Sequence, residues 1–229
     1  MSEVDILERL ARSVIEMDEE AAKSTAEEAV KTGIDPLKAI KEGLGKGMAV
    51  VGQKFHDCEI FLPQVMLAAD ATKAGVEVLL FKLTAERRSE AIAGKVVIGT
   101  VKGDIHDIGK NIVAVMLSAA GFEVHDLGSD VPSMKFVEEA EKVKADIIAM
   151  SSLMTTTRLY QQEVADYLKD MGLRNRYYII IGGGAITPAW AREIGADGYG
   201  RLADDGVEVC KQLLGKRVKP PLPEPMIKE

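Results

Sequence analysis

The chain has 229 residues, 47% of them hydrophobic and 28% charged, which is typical of a globular protein with one large domain or two small ones. Its net charge is −7, from 29 basic and 36 acidic residues, and the sequence contains no basic block. Nucleic acid is therefore not expected as a partner, because phosphate binding needs clustered lysine and arginine.

The first 88 residues predict a helical domain. Their apolar residues recur at helical spacing, and Pro36 and Pro63 stand where first helical positions are expected. The predicted helices cover residues 5–17, 17–33, 35–55 and 62–86. Short turns between them predict a small antiparallel four-helix bundle over residues 1–88, followed by a linker at 89–94.

From residue 95 the pattern changes to short, nearly continuous apolar runs that alternate with helical segments. Such runs are typical of strands buried on both faces. The predicted strands lie within 95–101, 122–128, 146–153, 177–185 and 197–201. The alternation predicts a flavodoxin-like, doubly wound parallel sheet of five strands in the order 2-1-3-4-5, a Rossmann-like α/β domain over 95–215. The proline-rich tail, 216–229, is expected to be extended or loosely attached.

Cellular location is bounded by what the sequence lacks. No apolar run approaches the roughly 18 residues of a membrane span. The acidic, amphipathic first residues do not resemble a signal peptide. The cysteines, Cys58 and Cys210, lie far apart and form neither a metal-binding spacing nor a disulfide framework. We therefore expect a cytoplasmic protein without a membrane partner.

Chemistry-bearing residues cluster at the carboxyl ends of three predicted strands, where open α/β sheets bind ligands. The first end carries Asp104 and His106, the third carries the hydroxyl-rich run 151–157, and the fourth carries the glycines 182–184. The hydroxyls suit either helix capping or a polar ligand tail. The glycines suit either a tight turn or a flat ligand. No GxGxxG or Walker lysine motif supports a nucleotide.

His106 is the candidate metal ligand. Imidazole is the commonest side-chain ligand, and a carboxylate such as Asp104 often holds its second nitrogen. No second histidine or cysteine lies nearby to complete a zinc site. A single protein ligand instead fits a metal whose other positions are occupied by a macrocycle.

These residues resemble the cobalamin-binding signature: Asp104-x-His106-x-x-Gly109, then Ser151-x-Leu153, then Gly182–Gly183. The chain is similar to the corrinoid-binding region of B12-dependent methionine synthase. It is still more similar to the small corrinoid proteins that serve methyltransferase systems in methanogens and acetogens. Residues 59–69 resemble the helical cap of those proteins, so the likeness covers nearly the whole chain.

The resemblance implies a role for each matching residue. His106 would replace the benzimidazole of the cofactor as the lower cobalt ligand, Asp104 would bind its other nitrogen, and Thr157 would stand where the family has the serine of this relay. The nucleotide tail of the cofactor would pass between the third and fourth strand ends, and the cap would shield the reactive face. The implied cofactor-binding residues are Gly103, Asp104, Ile105, His106, Asp107, Ile108, Gly109, Ser151, Leu153, Thr155, Gly182, Gly183, Gly184, Phe61, Gln64 and Val65.

The implied activity is methyl carriage. Co(I) would accept a methyl group from a substrate:corrinoid methyltransferase, and methyl-Co(III) would donate it to a second methyltransferase for coenzyme M or tetrahydrofolate. The substrate could be a methylamine, methanol, a quaternary amine or a methoxyaromatic compound. A reductive activation protein would restore Co(I). The chain alone would not be catalytically complete, and its linker would act as a hinge. Protonation of the relay would favour release of His106.

Two other cobalamin functions and one generic reading stay open at this point. An adenosylcobalamin mutase subunit shares the histidine signature but normally lacks the helical cap. A cobalamin-dependent regulator shares both domains but needs a DNA-binding segment, and none is visible in the sequence. A flavodoxin-like domain with an incidental histidine is the generic alternative. His56 needs no special role. His125, which precedes Asp126 at a strand end, suits either a structural position or one that lines the nucleotide tail.

Overall fold

The computed structural model describes residues 2–81, 92–215 and 218–228. These fall into two compact units, one formed within Met1–Ala93 together with Ser118–Gly121, the other within Gly94–Leu117 and Phe122–Glu229. Residues 89–91 of the predicted linker lie outside the described residues. None of the helices within the described ranges has the length and apolarity needed to cross a membrane.

The first unit is helical, as its sequence predicts. Ser2 and Asp5 form a capping box at the first helix, and Asp18 caps the second through the N–H of Ala21. The elements of its described residues are α1 Glu3–Ile15, α2 Glu19–Lys31, α3 Pro36–Lys38, a π-helical stretch Ala39–Leu44, α4 Gly45–His56 and α5 Leu62–Leu80. The predicted third helix is therefore one continuous helical segment that contains a π-helical stretch.

Close packing of α4 against α1 explains a glycine in the third helical segment. A Cβ atom at Gly47 would lie 2.5 Å from the carbonyl oxygen of Ala11 and 2.8 Å from the Cβ of Val14. Leu10 and Val14 of α1 are fully buried. The helical unit thus gains buried apolar surface at the cost of a residue with low helix propensity.

The second unit is a parallel α/β sheet. Its strands are β1 Lys95–Thr100, β2 Glu123–Asp126, β3 Ile147–Ser151, β4 Tyr178–Gly182, β5 Gly198–Gly200 and β6 Met226–Lys228. Its helices are α6 Ile108–Ala119, α7 Ser133–Val143, α8 Leu159–Asp170, α9 Pro188–Ile194 and α10 Ala203–Gly215. The strand order is β2-β1-β3-β4-β5-β6, with all neighbours parallel, so the predicted order is confirmed and extended.

The sixth strand corrects the predicted count of five, and it shows that the end of the tail is extended and paired rather than loosely attached. Met226–Lys228 pairs with β5, and the buried Asp197 binds the tail through two hydrogen bonds. Oδ1 of Asp197 accepts from the N–H of Leu222 at 2.6 Å, and the carbonyl of Asp197 accepts from the N–H of Met226 at 2.9 Å. A three-residue strand after a proline-rich stretch gives no periodicity signal, so its pairing depends on the sheet edge that receives it.

The two cysteines differ in environment, and both are free. Cys58 is exposed, whereas burial raises the pKa of the Cys210 thiol to about 12. We expect a thiol reagent such as dithionitrobenzoate to modify one cysteine rapidly in the native protein and the second only after unfolding. The Cys58→Ser variant should show no rapid phase. A rapid phase in that variant would contradict the burial of Cys210.

Candidate functional site

The carboxyl ends of three strands meet where the sequence places its polar residues. Thr100, the last residue of β1, is paired with Ser151 of β3, which is in turn paired with Gly182 of β4. The loop 101–107 follows β1, and α6 begins at Ile108. The structure therefore brings together the aspartate–histidine loop, the hydroxyl-rich run and the glycines at one edge of the sheet.

Asp104 is the centre of the polar network at this edge, and it is fully buried. Its Oδ1 lies 2.7 Å from Nδ1 of His106 and accepts the backbone N–H of the same residue at 3.1 Å. Its Oδ2 accepts from the N–H of Leu153 at 2.7 Å, the N–H of Met154 at 3.3 Å and the hydroxyl of Thr157 at 3.0 Å. One carboxylate thus joins the loop after β1 to the loop after β3.

The hydrogen bonds decide the charge of Asp104. Burial by itself raises the pKa of this carboxyl group, but the bonds from His106, Leu153 and Thr157 outweigh it and lower the pKa to about 2. Asp104 is therefore an anion at neutral pH and can only accept. Nδ1 of His106 must then be the donor, and in the neutral imidazole the lone pair is on Nε2.

The imidazole of His106 is oriented but accessible. Its side chain is 48% exposed, although its Nδ1 is bound to a fully buried carboxylate. Thr100 holds the backbone of the same residue, because its hydroxyl donates to the His106 carbonyl at 3.0 Å. Within the described residues no group of three or more histidine, cysteine, aspartate or glutamate side chains could hold a metal ion. The arrangement leaves Nε2 of His106 as a single oriented ring nitrogen at this edge of the sheet.

Ser152 joins the network although the sequence did not assign it there. It is fully buried, and its Oγ lies 2.8 Å from Oγ1 of Thr157 and 3.5 Å from Oδ2 of Asp104. The predicted relay therefore contains Thr157 in contact with Asp104, with a second hydroxyl behind it. Ser152 stood out only as one of five hydroxyl-bearing candidates within residues 151–157, because spacing alone does not show which of them turns inward.

A buried lysine also holds the start of α6. The side chain of Lys110 is 1% exposed and forms an ion pair with Asp126 at the end of β2. Its Nζ also donates to the side-chain oxygen of Asn111. A buried ammonium group is tolerated only when it is paired, so this contact joins α6 to β2 next to the His106 loop. Nothing in its sequence position predicted this burial.

Large aliphatic side chains are exposed on the two loops joined by Asp104 and at the start of α6. Ile105 and Ile108 are each 75% exposed, and Leu153 is 47% exposed. A Cβ atom at Gly109 would meet nothing within 4 Å. Exposed apolar side chains beside an oriented ligand nitrogen suit a large, partly apolar ring. The donor set and its surroundings therefore fit a corrinoid, which brings the other cobalt ligands itself.

Close backbone contact explains one of the three glycines at and after the end of β4. Gly183 has φ +113°, and a Cβ atom there would lie 2.2 Å from the carbonyl oxygen of Ser152. At Gly184 a Cβ atom would lie 2.7 Å from Cδ1 of Leu153. At Gly182 the nearest atom is the carbonyl oxygen of Gly200, at 3.3 Å. The loops after β3 and β4 thus pack together directly, which is a sufficient reason for Gly183.

The remaining predicted residues differ in exposure. Gly103 and Thr155 are exposed, while Ser151 and Asp107 are half-buried. In the helical unit Phe61 is 72% exposed, and its N–H donates to Oε1 of Gln64 at 2.8 Å. Val65 is 1% exposed and belongs to the core of that unit, so its side chain supports the exposed positions around it.

Comparison with known proteins shows the family of the chain. Residues 94–208 match a B12 binding domain family, and residues 6–80 match a second family of the same description. A corrinoid protein of Desulfitobacterium hafniense is 44% identical over 214 residues, which cover 93% of this chain and 99% of that protein. Dimethylamine corrinoid protein 1 of Methanosarcina acetivorans is 48% identical over 214 residues, covering 93% of this chain and 100% of that protein. The chain belongs to the corrinoid proteins of methyltransferase systems.

Solved structures of corrinoid proteins share the fold. The methanol:cobalamin methyltransferase complex of Methanosarcina barkeri matches with a TM-score of 0.78 and 32% identity, covering 93% of this chain and 81% of that one. A cobalamin-binding protein of Desulfitobacterium hafniense matches with a TM-score of 0.71 and 34% identity, covering 90% and 97%. The cofactor of this corrinoid protein is accordingly cobalamin or a related corrinoid.

Proposed function

We propose that this corrinoid protein carries a methyl group between two methyltransferases. The observation that carries the proposal is the oriented imidazole of His106, which is exposed while its Nδ1 is held by a buried anion. The match of residues 6–80 to a B12 binding domain family favours a methyl carrier, which has a helical cap, and disfavours a mutase subunit, which normally lacks one. Curated relatives at 44–48% identity include trimethylamine and dimethylamine corrinoid proteins.

Each residue of the site then has a defined task. When bound, the corrinoid supplies the cobalt that takes up and releases the methyl group. His106 would hold the cobalt through Nε2, because Asp104 accepts the hydrogen bond from Nδ1. Thr157 would hold Asp104 in place through the 3.0 Å hydrogen bond to Oδ2. Ile105 and Ile108 would exclude water beside the ligand nitrogen.

The partners follow from the same role. One partner would be a methyltransferase that takes a methyl group from a methylated amine. Several relatives at 42–48% identity are named trimethylamine or dimethylamine corrinoid proteins. The second would transfer the methyl group to coenzyme M or tetrahydrofolate. A reductive activation protein would return oxidised cofactor to its reactive state. Phe61, exposed on the helical unit, would lie on the surface that shields the methyl group.

The ligand assignment is tested by replacing His106 with alanine. Apoprotein is incubated anaerobically with hydroxocobalamin, free cofactor is removed, and visible absorption spectra are compared. We expect wild type and variant to retain the corrinoid with different spectra, because only wild type can supply an imidazole. The matched control is His125→Ala, whose imidazole pairs with Glu123 at 2.8 Å and whose loss should leave the spectrum unchanged.

Other outcomes would separate the two parts of the proposal. Retained cofactor with identical spectra for wild type and His106→Ala would remove the ligand role and keep corrinoid binding. Folded wild-type protein that retains no corrinoid would contradict methyl carriage.

A second experiment tests the methyl donor. Trimethylamine, dimethylamine and methanol methyltransferases are each supplied with their substrate and the reduced holoprotein. Methylation by the methanol enzyme alone would contradict an amine donor.

A further inference from the structure

One residue of a neighbouring loop holds the backbone that carries Asp104. Asp130 follows β2, and its Oδ1 accepts the N–H of Gly103 at 2.7 Å. Its own N–H donates to the carbonyl of Asp104 at 2.9 Å. Asp130 thus binds both the N–H of Gly103 and the carbonyl of Asp104, and it fixes the Gly103–Asp104 segment at its two ends.

Asp130 makes these two hydrogen bonds from an unusual backbone conformation. Its φ is +54°, in the left-handed region that most side chains avoid. Aspartate and asparagine enter this region more readily than other residues that carry a Cβ atom. A residue held in this conformation needs support from its surroundings, and the two hydrogen bonds to Gly103 and Asp104 supply it.

The other contacts of the loop bind different atoms. Thr100 binds the carbonyl of His106 through its hydroxyl, and the N–H of Asp104 donates to the carbonyl of Val101 at 3.1 Å. The N–H of Gly103 has Asp130 as its hydrogen-bond acceptor within the described residues. Without Asp130, the segment from which the Asp104 side chain extends would lose two of its anchors.

We propose that Asp130 is a positioning residue for His106, acting through the backbone of Asp104. The inference depends on the proposed role of His106 as cobalt ligand. Asp104 fixes the imidazole at 2.7 Å, so displacement of the Asp104 backbone would misplace Nε2. Loss of the Asp130 carboxylate should therefore lower the fraction of bound corrinoid that has His106 on cobalt.

Two substitutions separate the carboxylate from the backbone conformation. Asp130→Gly keeps the left-handed φ accessible and retains the N–H, but it removes the acceptor for Gly103. Asp130→Asn keeps both the conformation and an oxygen acceptor. The matched control is Lys144→Gly. Lys144 has φ +56° at the end of α7, so this substitution relieves left-handed strain at a position outside the loop.

The readout is the identity of the nitrogen on cobalt. Protein labelled with ¹⁵N-histidine is loaded with hydroxocobalamin, reduced to the Co(II) state and examined by electron paramagnetic resonance. An imidazole ligand from the protein gives a doublet splitting, whereas the benzimidazole of the cofactor gives a triplet. We expect wild type, Asp130→Asn and Lys144→Gly to give the doublet. For Asp130→Gly the ratio of bound to free imidazole should fall about fivefold.

Each contrary result overturns a defined statement. An undiminished doublet in Asp130→Gly, with or without a lower melting temperature, would overturn the positioning role of Asp130. It would leave the role of His106 as cobalt ligand in place. A loss in Asp130→Asn as large as in Asp130→Gly would overturn the hydrogen bond to Gly103 as its basis. A triplet in wild type would overturn His106 as ligand and this inference with it. The buried Trp190 reports by fluorescence whether each variant is folded.

Discussion

Replacement of Asp104 by alanine is expected to destabilise the α/β unit of the apoprotein by roughly 3 kcal/mol. The variant leaves the N–H groups of His106 and Leu153 without their acceptor, and it removes the fully buried carboxylate to which the hydroxyl of Thr157 donates. Urea unfolding followed by Trp190 fluorescence measures this effect. Trp190 is the single tryptophan and is buried in the α/β unit, so the signal reports that unit.

The matched control is an exposed aspartate of the same unit. Asp166 contacts Lys169 at 3.3 Å on the surface of α8, and Asp166→Ala should change the free energy of unfolding by less than about 0.5 kcal/mol. A similar small effect for Asp104→Ala would show that the network contributes little to folding. That result would also weaken the case that Asp104 fixes the His106 imidazole before the corrinoid binds.

The Asp104 contribution should depend on pH in a defined direction. The carboxyl pKa is about 2 in the folded protein, below the ordinary value of about 3.9 for an unfolded chain. Its ionised form therefore stabilises the fold fully above about pH 4, by roughly 2 kcal/mol, and this is lost as the pH falls towards 2. The stability gap between wild type and Asp104→Asn should shrink over that window and stay constant from pH 5 to 7.

The sequence predicts the sheet well because its central strands carry their own signal. Ile147–Ser151 and Tyr178–Gly182 are apolar runs buried on both faces, and alternation with helices fixes their parallel direction. Met226–Lys228 has no such signal, since three residues cannot show a period. Its place depends on Asp197, whose side chain and carbonyl bind the tail through contacts far apart in the chain.

The same distinction separates the parts of the site. Asp104 and His106 are two residues apart on one loop, so a local motif predicts their contact. Ser152, Lys110 and Asp130 contact Asp104, Asp126 and Gly103 on other loops or strands, and these partners cannot be known until the sheet is assembled. The glycines show a further limit. At Gly183 the sequence could not distinguish a ligand from the carbonyl of Ser152 as the reason for a missing side chain.

Substitution of Gly183 by alanine is expected to cost roughly 3–5 kcal/mol of stability, from left-handed strain and overpacking together. Its φ is +113°, and the new Cβ atom would lie 2.2 Å from a backbone oxygen of Ser152, which cannot move without displacing the loop that binds Asp104.

The matched control for Gly183→Ala isolates the clash from the strain. Gly172 also has a positive φ, +68°, but a Cβ atom there would meet nothing within 4 Å. Gly172→Ala should therefore cost only about 1–2 kcal/mol, from strain alone. Trp190 fluorescence measures both variants during urea unfolding. Equal costs at the two positions would show that the loops after β3 and β4 separate easily, and the glycines would then need a ligand to explain them. A much larger cost at Gly183 would assign that glycine to the packing that holds Asp104 in place.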